Sequence, residues 1–223
     1  MKTVERSRKS SAAPTASGPQ WPAPDDVAPA WASDEISTFI TSEELVIRTN
    51  EIAWAIAEDY RGLGVSHQNP LHLIGVLKGV VPFMADLMRA LPDDIPVSVD
   101  FLSIASYGPQ TRHNSGVRLI KDLDEPIEGR HVLLVEDIID TGLTLSYLMR
   151  MLRGRQPASL RVCTLLDRAS VRLIDVPLAY VGFEIPDRFV VGYGLDYKER
   201  YRNLPFIGVL KGPALEGPTP QAS

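Results

Sequence analysis

His131-Val-Leu-Leu-Val-Glu-Asp-Ile-Ile-Asp-Thr-Gly-Leu-Thr-Leu-Ser146 packs three structural signals into one short stretch. Val132 to Val135 is an unbroken apolar run, the mark of a strand buried on both faces in a parallel sheet. The run ends in two carboxylates, Glu136 and Asp137. Asp140, Thr141, Gly142 and Thr144 follow as a small polar loop. Leu145, Leu148, Met149 and Leu152 then recur at helical spacing, which predicts a helix closing at Gly154.

Strand, loop and helix in that order put the loop at the carboxyl edge of a parallel sheet, where open α/β folds bind ligands. Small residues entering a helix leave backbone N–H groups pointing outward with the positive end of the helix dipole behind them, which suits an anion. The same residues also serve as ordinary turn and capping residues, with Asp140 or Thr141 as an N-cap. Capping does not account for Glu136 and Asp137, however, because like charges closing an apolar strand cost energy. Those acids offer acceptors for hydroxyl groups or a hard cation. A ligand with an anion at one end and a diol or metal nearby fits the stretch, and a ribose 5-phosphate fits it better than a bare phosphate.

Working outward, Thr41 and Glu44 have capping-box spacing before a helix marked by Leu45, Ile52, Ala53, Ile56 and Ala57, which runs to about Tyr60. Arg61-Gly-Leu-Gly stops it. Leu71 to Leu77 reads as the next strand, and Lys78-Gly79 turns into a helix with Val80, Phe83, Met84, Leu87 and Leu91 on one face. That turn brings free amides and a cation to the same sheet edge, although Lys-Gly after a strand is also a common plain turn. Pro96 to Ala105 alternates as a strand and leads through Ser106-Tyr107-Gly108 into a polar stretch, Pro109 to Gly116. Val117 to Ile120 returns from it. Ser159 to Leu166 is a further parallel strand ending in Asp167-Arg168, and Leu178 to Ile185 is another. Taken alone, Arg168 is a surface residue capping a strand, and Phe189, Val190 and Val191 form a small core cluster.

The whole predicts an α/β fold, a mainly parallel sheet near five strands flanked by helices. Residues 37 to 211 form the domain. Residues 1 to 36, rich in Pro, Ala and Ser, and 212 to 223 are expected to be disordered or flexible, because they cannot bury enough surface to offset the cost of ordering. Of 223 residues 44% are hydrophobic, ample for one core. A net charge of -5 argues against nucleic acid or an anionic membrane surface as the main partner. Cys163 is the single cysteine, which rules out an intrachain disulfide and suits a reducing cytoplasm. No G-x-x-x-x-G-K-[ST] occurs, so a Walker-type nucleotide hydrolase is excluded.

Val135-Glu-Asp-Ile-Ile-Asp-Thr-Gly-Leu-Thr144 resembles the phosphoribosyl-diphosphate signature of type I phosphoribosyltransferases, closest to the hypoxanthine-guanine branch. The stretch from Pro186 to Leu204 is similar to the purine-binding hood of that branch, which implies a small hood at about residues 186 to 211 from the ends of the folded part, and the resemblance spans about residues 40 to 210. It implies transfer of a 5-phosphoribosyl group to hypoxanthine or guanine, in an enzyme assembled as a dimer or tetramer. It further implies that Glu136 and Asp137 bind the ribose hydroxyls directly or through Mg²⁺. Asp140, Thr141, Gly142, Leu143 and Thr144 would hold the 5′-phosphate, and Asp140 would also accept the purine N7 proton. Leu77, Lys78 and Gly79, joined by a non-proline cis peptide, would bind diphosphate with Arg202. Phe189 would stack on the base, Val190 would read its edge, and Asp196, in the same purine-binding stretch, would hold a Mg²⁺ on the diphosphate side. Ser106 and Tyr107 would belong to a lid. Arg168 stands where the branch usually has a lysine that donates to the purine O6. A non-catalytic relative that senses phosphoribosyl diphosphate and regulates RNA would share the signature, but it would want a basic face that the acidic total opposes.

Overall fold

A computed structural model describes residues 36 to 106 and 117 to 211, the side chains of Ser106 and Val117 excepted. Its main sheet has six strands in the order β4-β3-β2-β5-β6-β7. These are β2 (Leu71–Leu77), β3 (Val97–Ser106), β4 (Val117–Lys121), β5 (His131–Ile139), β6 (Ser159–Asp167) and β7 (Tyr180–Glu184). Every pairing is parallel except β3 with β4, which is antiparallel. The sheet has one strand more than the five or so expected, and its edge strand β4 is the returning segment expected at Val117 to Ile120.

Alternation along β5 explains why helices cover both faces. Leu133 and Val135 point into a core shared with α1 (Ser42–Arg61) and α2 (Val81–Ala90). Val132 and Leu134 point to the other side, where Leu145, Leu148, Met149 and Leu152 of α3 (Leu143–Arg153) close a second core. At the start of α1 the capping box is complete: Thr41 N–H donates to Glu44 Oε2 at 2.8 Å and Glu44 N–H donates to Thr41 Oγ1 at 3.2 Å.

A separate three-stranded antiparallel sheet, in the order β1-β9-β8, forms the hood from β1 (Ile36–Ile40), β8 (Val190–Val191) and β9 (Ile207–Leu210). Ile36 lies one residue inside the segment assigned to the amino-terminal extension, and the rest of that extension and the tail from 212 lie outside the described residues. Among the described residues no helix is long and apolar enough to cross a membrane.

Candidate active site

The two acids lie within β5 rather than at its end, because the two neighbours of β5 stop at different points. Pairing with β2 runs only from His72↔Val132 to Gly75↔Val135. Pairing with β6 continues through Glu136↔Thr164 and Ile139↔Asp167. From Glu136 onward the β2 side of β5 is therefore open. Leu77 and Lys78, joined by a cis peptide bond, line the same cavity as Glu136 and Asp137.

Gly79 follows it and lies directly against the Asp137 carboxylate, so that any side chain there would collide with Oδ2. Val76, Lys78, Gly79, Glu136, Asp137 and the loop from Ile138 to Gly142, with Thr144, enclose a cavity of about 250 Å³. Glu136 is only 6% exposed, and burial with Asp137 beside it drives its carboxyl well above the usual range. Burial also lifts Asp137, to about 6, despite the bond that its Oδ1 accepts from Ile138 N–H at 2.8 Å.

At the start of α3 the N-cap is neither Asp140 nor Thr141. Gly142 takes that position with φ +80, and no side-chain cap bond forms. Only glycine adopts that angle readily, and the carbonyl of Ile174 fills the space where a Cβ would stand. Thr144 faces the cavity, whereas Leu143, expected in the phosphate loop, is exposed and does not line it.

A second cavity, of about 260 Å³, is lined by Asp137, Ile138, Asp140, Arg168, Phe189, Val190, Leu195, Asp196 and Arg202. Val190 and Val191 are buried as a core cluster would be, but Phe189 is 38% exposed and its ring meets Tyr197 edge-on at 5.7 Å. Arg202 pairs with Asp196 at 2.7 Å and donates to the Gly194 carbonyl at 2.8 Å. Arg168 places Nε 3.4 Å from Asp140 Oδ1 and donates through a terminal nitrogen to the Arg188 carbonyl at 2.8 Å. The structure thus brings together the expected residues of β2, β5 and the hood. Tyr107 and the polar stretch after it lie outside the described residues, as does the Ser106 side chain.

Glu199 went unanticipated. Its carboxylate reaches Lys78 Nζ at 3.2 Å and Arg202 at 3.3 Å, so it bridges the two cations expected to meet diphosphate. No sequence signal marks it, because its position depends on left-handed backbone at Lys198, Glu199 and Tyr201. Arg172 was missed as well: it pairs with Asp167 while its Cδ packs on Gly142, beneath the loop.

The sequence model of the phosphoribosyl transferase domain matches residues 39–198. The hypoxanthine-guanine phosphoribosyltransferase of Mycobacterium tuberculosis (strain ATCC 25618 / H37Rv) is 49% identical over 187 residues, 84% of this chain and 92% of that protein. The Bacillus subtilis (strain 168) enzyme of the same name is 51% identical over 170 residues, 76% of this chain and 93% of its own. Among solved structures, hypoxanthine phosphoribosyltransferase from Trypanosoma cruzi in complex with the product IMP superposes with a TM-score of 0.73 at 47% identity, covering 78% of this chain and 93% of that one. A mutant of the same T. cruzi enzyme, in a ternary substrates complex, gives 0.75 at 46% identity over 79% and 96% of the two chains.

Proposed function

Because the chain belongs to the phosphoribosyltransferase family, we propose that it is a purine salvage enzyme that moves the 5-phosphoribosyl group of 5-phosphoribosyl 1-diphosphate onto hypoxanthine or guanine. The products are IMP or GMP and diphosphate. One observation carries this reading. The cavity at the start of α3 and the cavity bearing Phe189 share Asp137, Ile138 and Asp140, so an anionic sugar and a flat base placed in them would meet at those residues.

The chemistry is charge handling. Breaking the C1–O bond of the sugar diphosphate leaves positive charge on the ribose and negative charge on the departing diphosphate. The amides of Thr141, Gly142 and Thr144 would hold the 5′-phosphate at the start of α3. Lys78, Gly79 and Arg202 would receive the diphosphate, the guanidinium by paired hydrogen bonds. Asp140, 46% exposed between the two cavities, would take the N7 proton as N9 bonds to C1. Phe189 offers its face to the base, and the donor-only guanidinium of Arg168 suits a carbonyl at its edge.

Magnesium fits the residues present. Glu136 and Asp137 are buried acids, both held up in pKa, that line one cavity. Among the described residues no three His, Cys, Asp or Glu side chains converge to make a full cage. One or two carboxylates completed by water and substrate phosphates is the usual way of holding Mg²⁺. Bound there, the ion would offset negative charge on the diphosphate. Asp196, already paired with Arg202, would contribute on the other side. Buried, unpaired Cys163 supports a cytoplasmic setting, and assembly as a homo-oligomer belongs to the same reading.

The deciding experiment offers purified protein, Mg²⁺ and phosphoribosyl diphosphate to hypoxanthine, guanine, xanthine and adenine in turn, and follows diphosphate release. Release with hypoxanthine or guanine is expected. Binding of phosphoribosyl diphosphate without release on adding any base would make the chain a sensor instead.

A further inference from the structure

The connection from β6 to β7 is bound to the loop after β5 at several points. Arg168 N–H donates to the Ile139 carbonyl at 3.0 Å, and the N–H groups of Leu173 and Ile174 both donate to the Thr141 carbonyl, at 2.9 and 3.0 Å. Asp140 lies between these anchors and has no backbone bond of this kind to the connection. Its link is the Arg168 guanidinium, only 15% exposed, which is held from behind by the Arg188 carbonyl and faced by Asp187 at 3.8 Å. The Arg168 Nε is buried and lacks a hydrogen-bond partner, with Asp140 Oδ1 its nearest charged neighbour at 3.4 Å.

We propose that Arg168 is a positioning residue for Asp140, apart from any contact it makes with the base. A guanidinium presents Nε and the terminal nitrogens in a fixed fork, so one side chain can brace the carboxylate and stay anchored to the hood at Arg188. An ammonium at the end of a lysine stem is a single point and must choose between the two. In this chain the orientation of the proton acceptor is therefore tied to the hood through one residue. The inference rests on the phosphoribosyl-transfer reading and adds a role that the reading does not need.

The test is a double-mutant cycle on turnover, with Arg168→Gln, Arg168→Lys, Asp140→Asn and the combined variants, and with binding of phosphoribosyl diphosphate measured separately. In the wild-type background Arg168→Gln should lower kcat roughly tenfold, leaving binding of phosphoribosyl diphosphate within twofold. In the Asp140→Asn background the same change should cost less than twofold. Arg168→Lys, which keeps a charge near the base, should hold the KM for guanine near wild type yet still lose kcat. Equal losses in both backgrounds, or a loss confined to the KM for the base, would overturn the proposal while leaving the transferase reading intact. A wild-type protein inactive with every base would sink the reading itself and the proposal with it. Loss of phosphoribosyl-diphosphate binding in both Arg168 variants would show a structural role for the residue and likewise overturn the proposal.

Discussion

Gly79 and Asp137 touch so closely that the turn after β2 and the acid on β5 behave as one surface: a methyl group on Gly79 would occupy the space of the Asp137 Oδ2. The Gly79 carbonyl in turn leaves no room for a side chain at Gly194 of the hood. Gly79→Ala must therefore push the carboxylate aside. A displacement near 1 Å at a reacting centre costs about 10²-fold. That loss is expected in kcat/KM for phosphoribosyl diphosphate, with the circular dichroism spectrum unchanged. A variant retaining more than half of wild-type activity would show that the contact does not set the site.

In its proposed role Glu136 would serve the site at the expense of stability. Its carboxyl is buried without a cation, so its pKa in the fold lies well above the ordinary value. A group raised in this way adds stability below its unfolded pKa and loses it as pH rises toward the folded one. At neutral pH and without divalent cations Glu136→Gln should therefore melt higher than wild type. Relief of about 1 kcal/mol corresponds to roughly 2–4 °C in a chain of this size. Turnover should fall in the same variant, and a lower melting temperature would contradict the argument.

Asp140→Asn keeps the shape of the loop and removes the carboxylate proposed to accept the N7 proton. Turnover should drop by roughly 10² to 10⁴, with binding of phosphoribosyl diphosphate largely preserved. Steady-state and equilibrium-binding measurements on the one variant separate the two effects. Near-normal turnover would remove Asp140 from the mechanism.

What the sequence disclosed and what it concealed divide along the range of the interactions. The capping box of Thr41 and Glu44 and the apolar face of α3 are set within a turn or two, and both are legible. Strand β1 is not, because its pairing partner, Ile207–Leu210, lies at the far end of the domain. The cap of α3 misled because Asp and Thr are good caps by propensity, whereas tertiary packing against Ile174 selects Gly142. Glu199 was invisible for a related reason: three non-glycine residues in left-handed conformation carry its carboxylate across to Lys78, and composition does not foretell such backbone.

That carboxylate occupies the two cations that would receive diphosphate in the proposed reaction. Lys78 and then Arg202 lower its pKa, so it is an anion bridging two cations in the absence of substrate. Diphosphate binding there would have to displace it. The pair is exposed, so the competition is weak, and Glu199→Gln should lower the KM for phosphoribosyl diphosphate by roughly two- to fivefold. Inhibition by added diphosphate should tighten by a similar factor. A raised KM would mean that Glu199 orients the cations rather than competing for them.

His72 lies at the opposite, amino-terminal edge of the sheet, 2% exposed, with Nδ1 2.9 Å from Ser98 Oγ. Ser98 also accepts a bond from Arg130 at 2.6 Å. Burial, and next the Arg130 charge, depress the imidazole from its usual 6.5 to about 4, against a smaller opposing pull from Asp100. Between those values the unfolded chain binds a proton that the folded chain refuses, so stability is complete above about 6.5 and is lost progressively as pH falls to about 4. His72→Gln removes this titration while keeping a polar group beside Ser98. Urea midpoints at pH 7.5 and 4.5 should therefore differ less in the variant than in wild type. Equal pH dependence in the two proteins would show that His72 is protonated as readily in the fold as out of it.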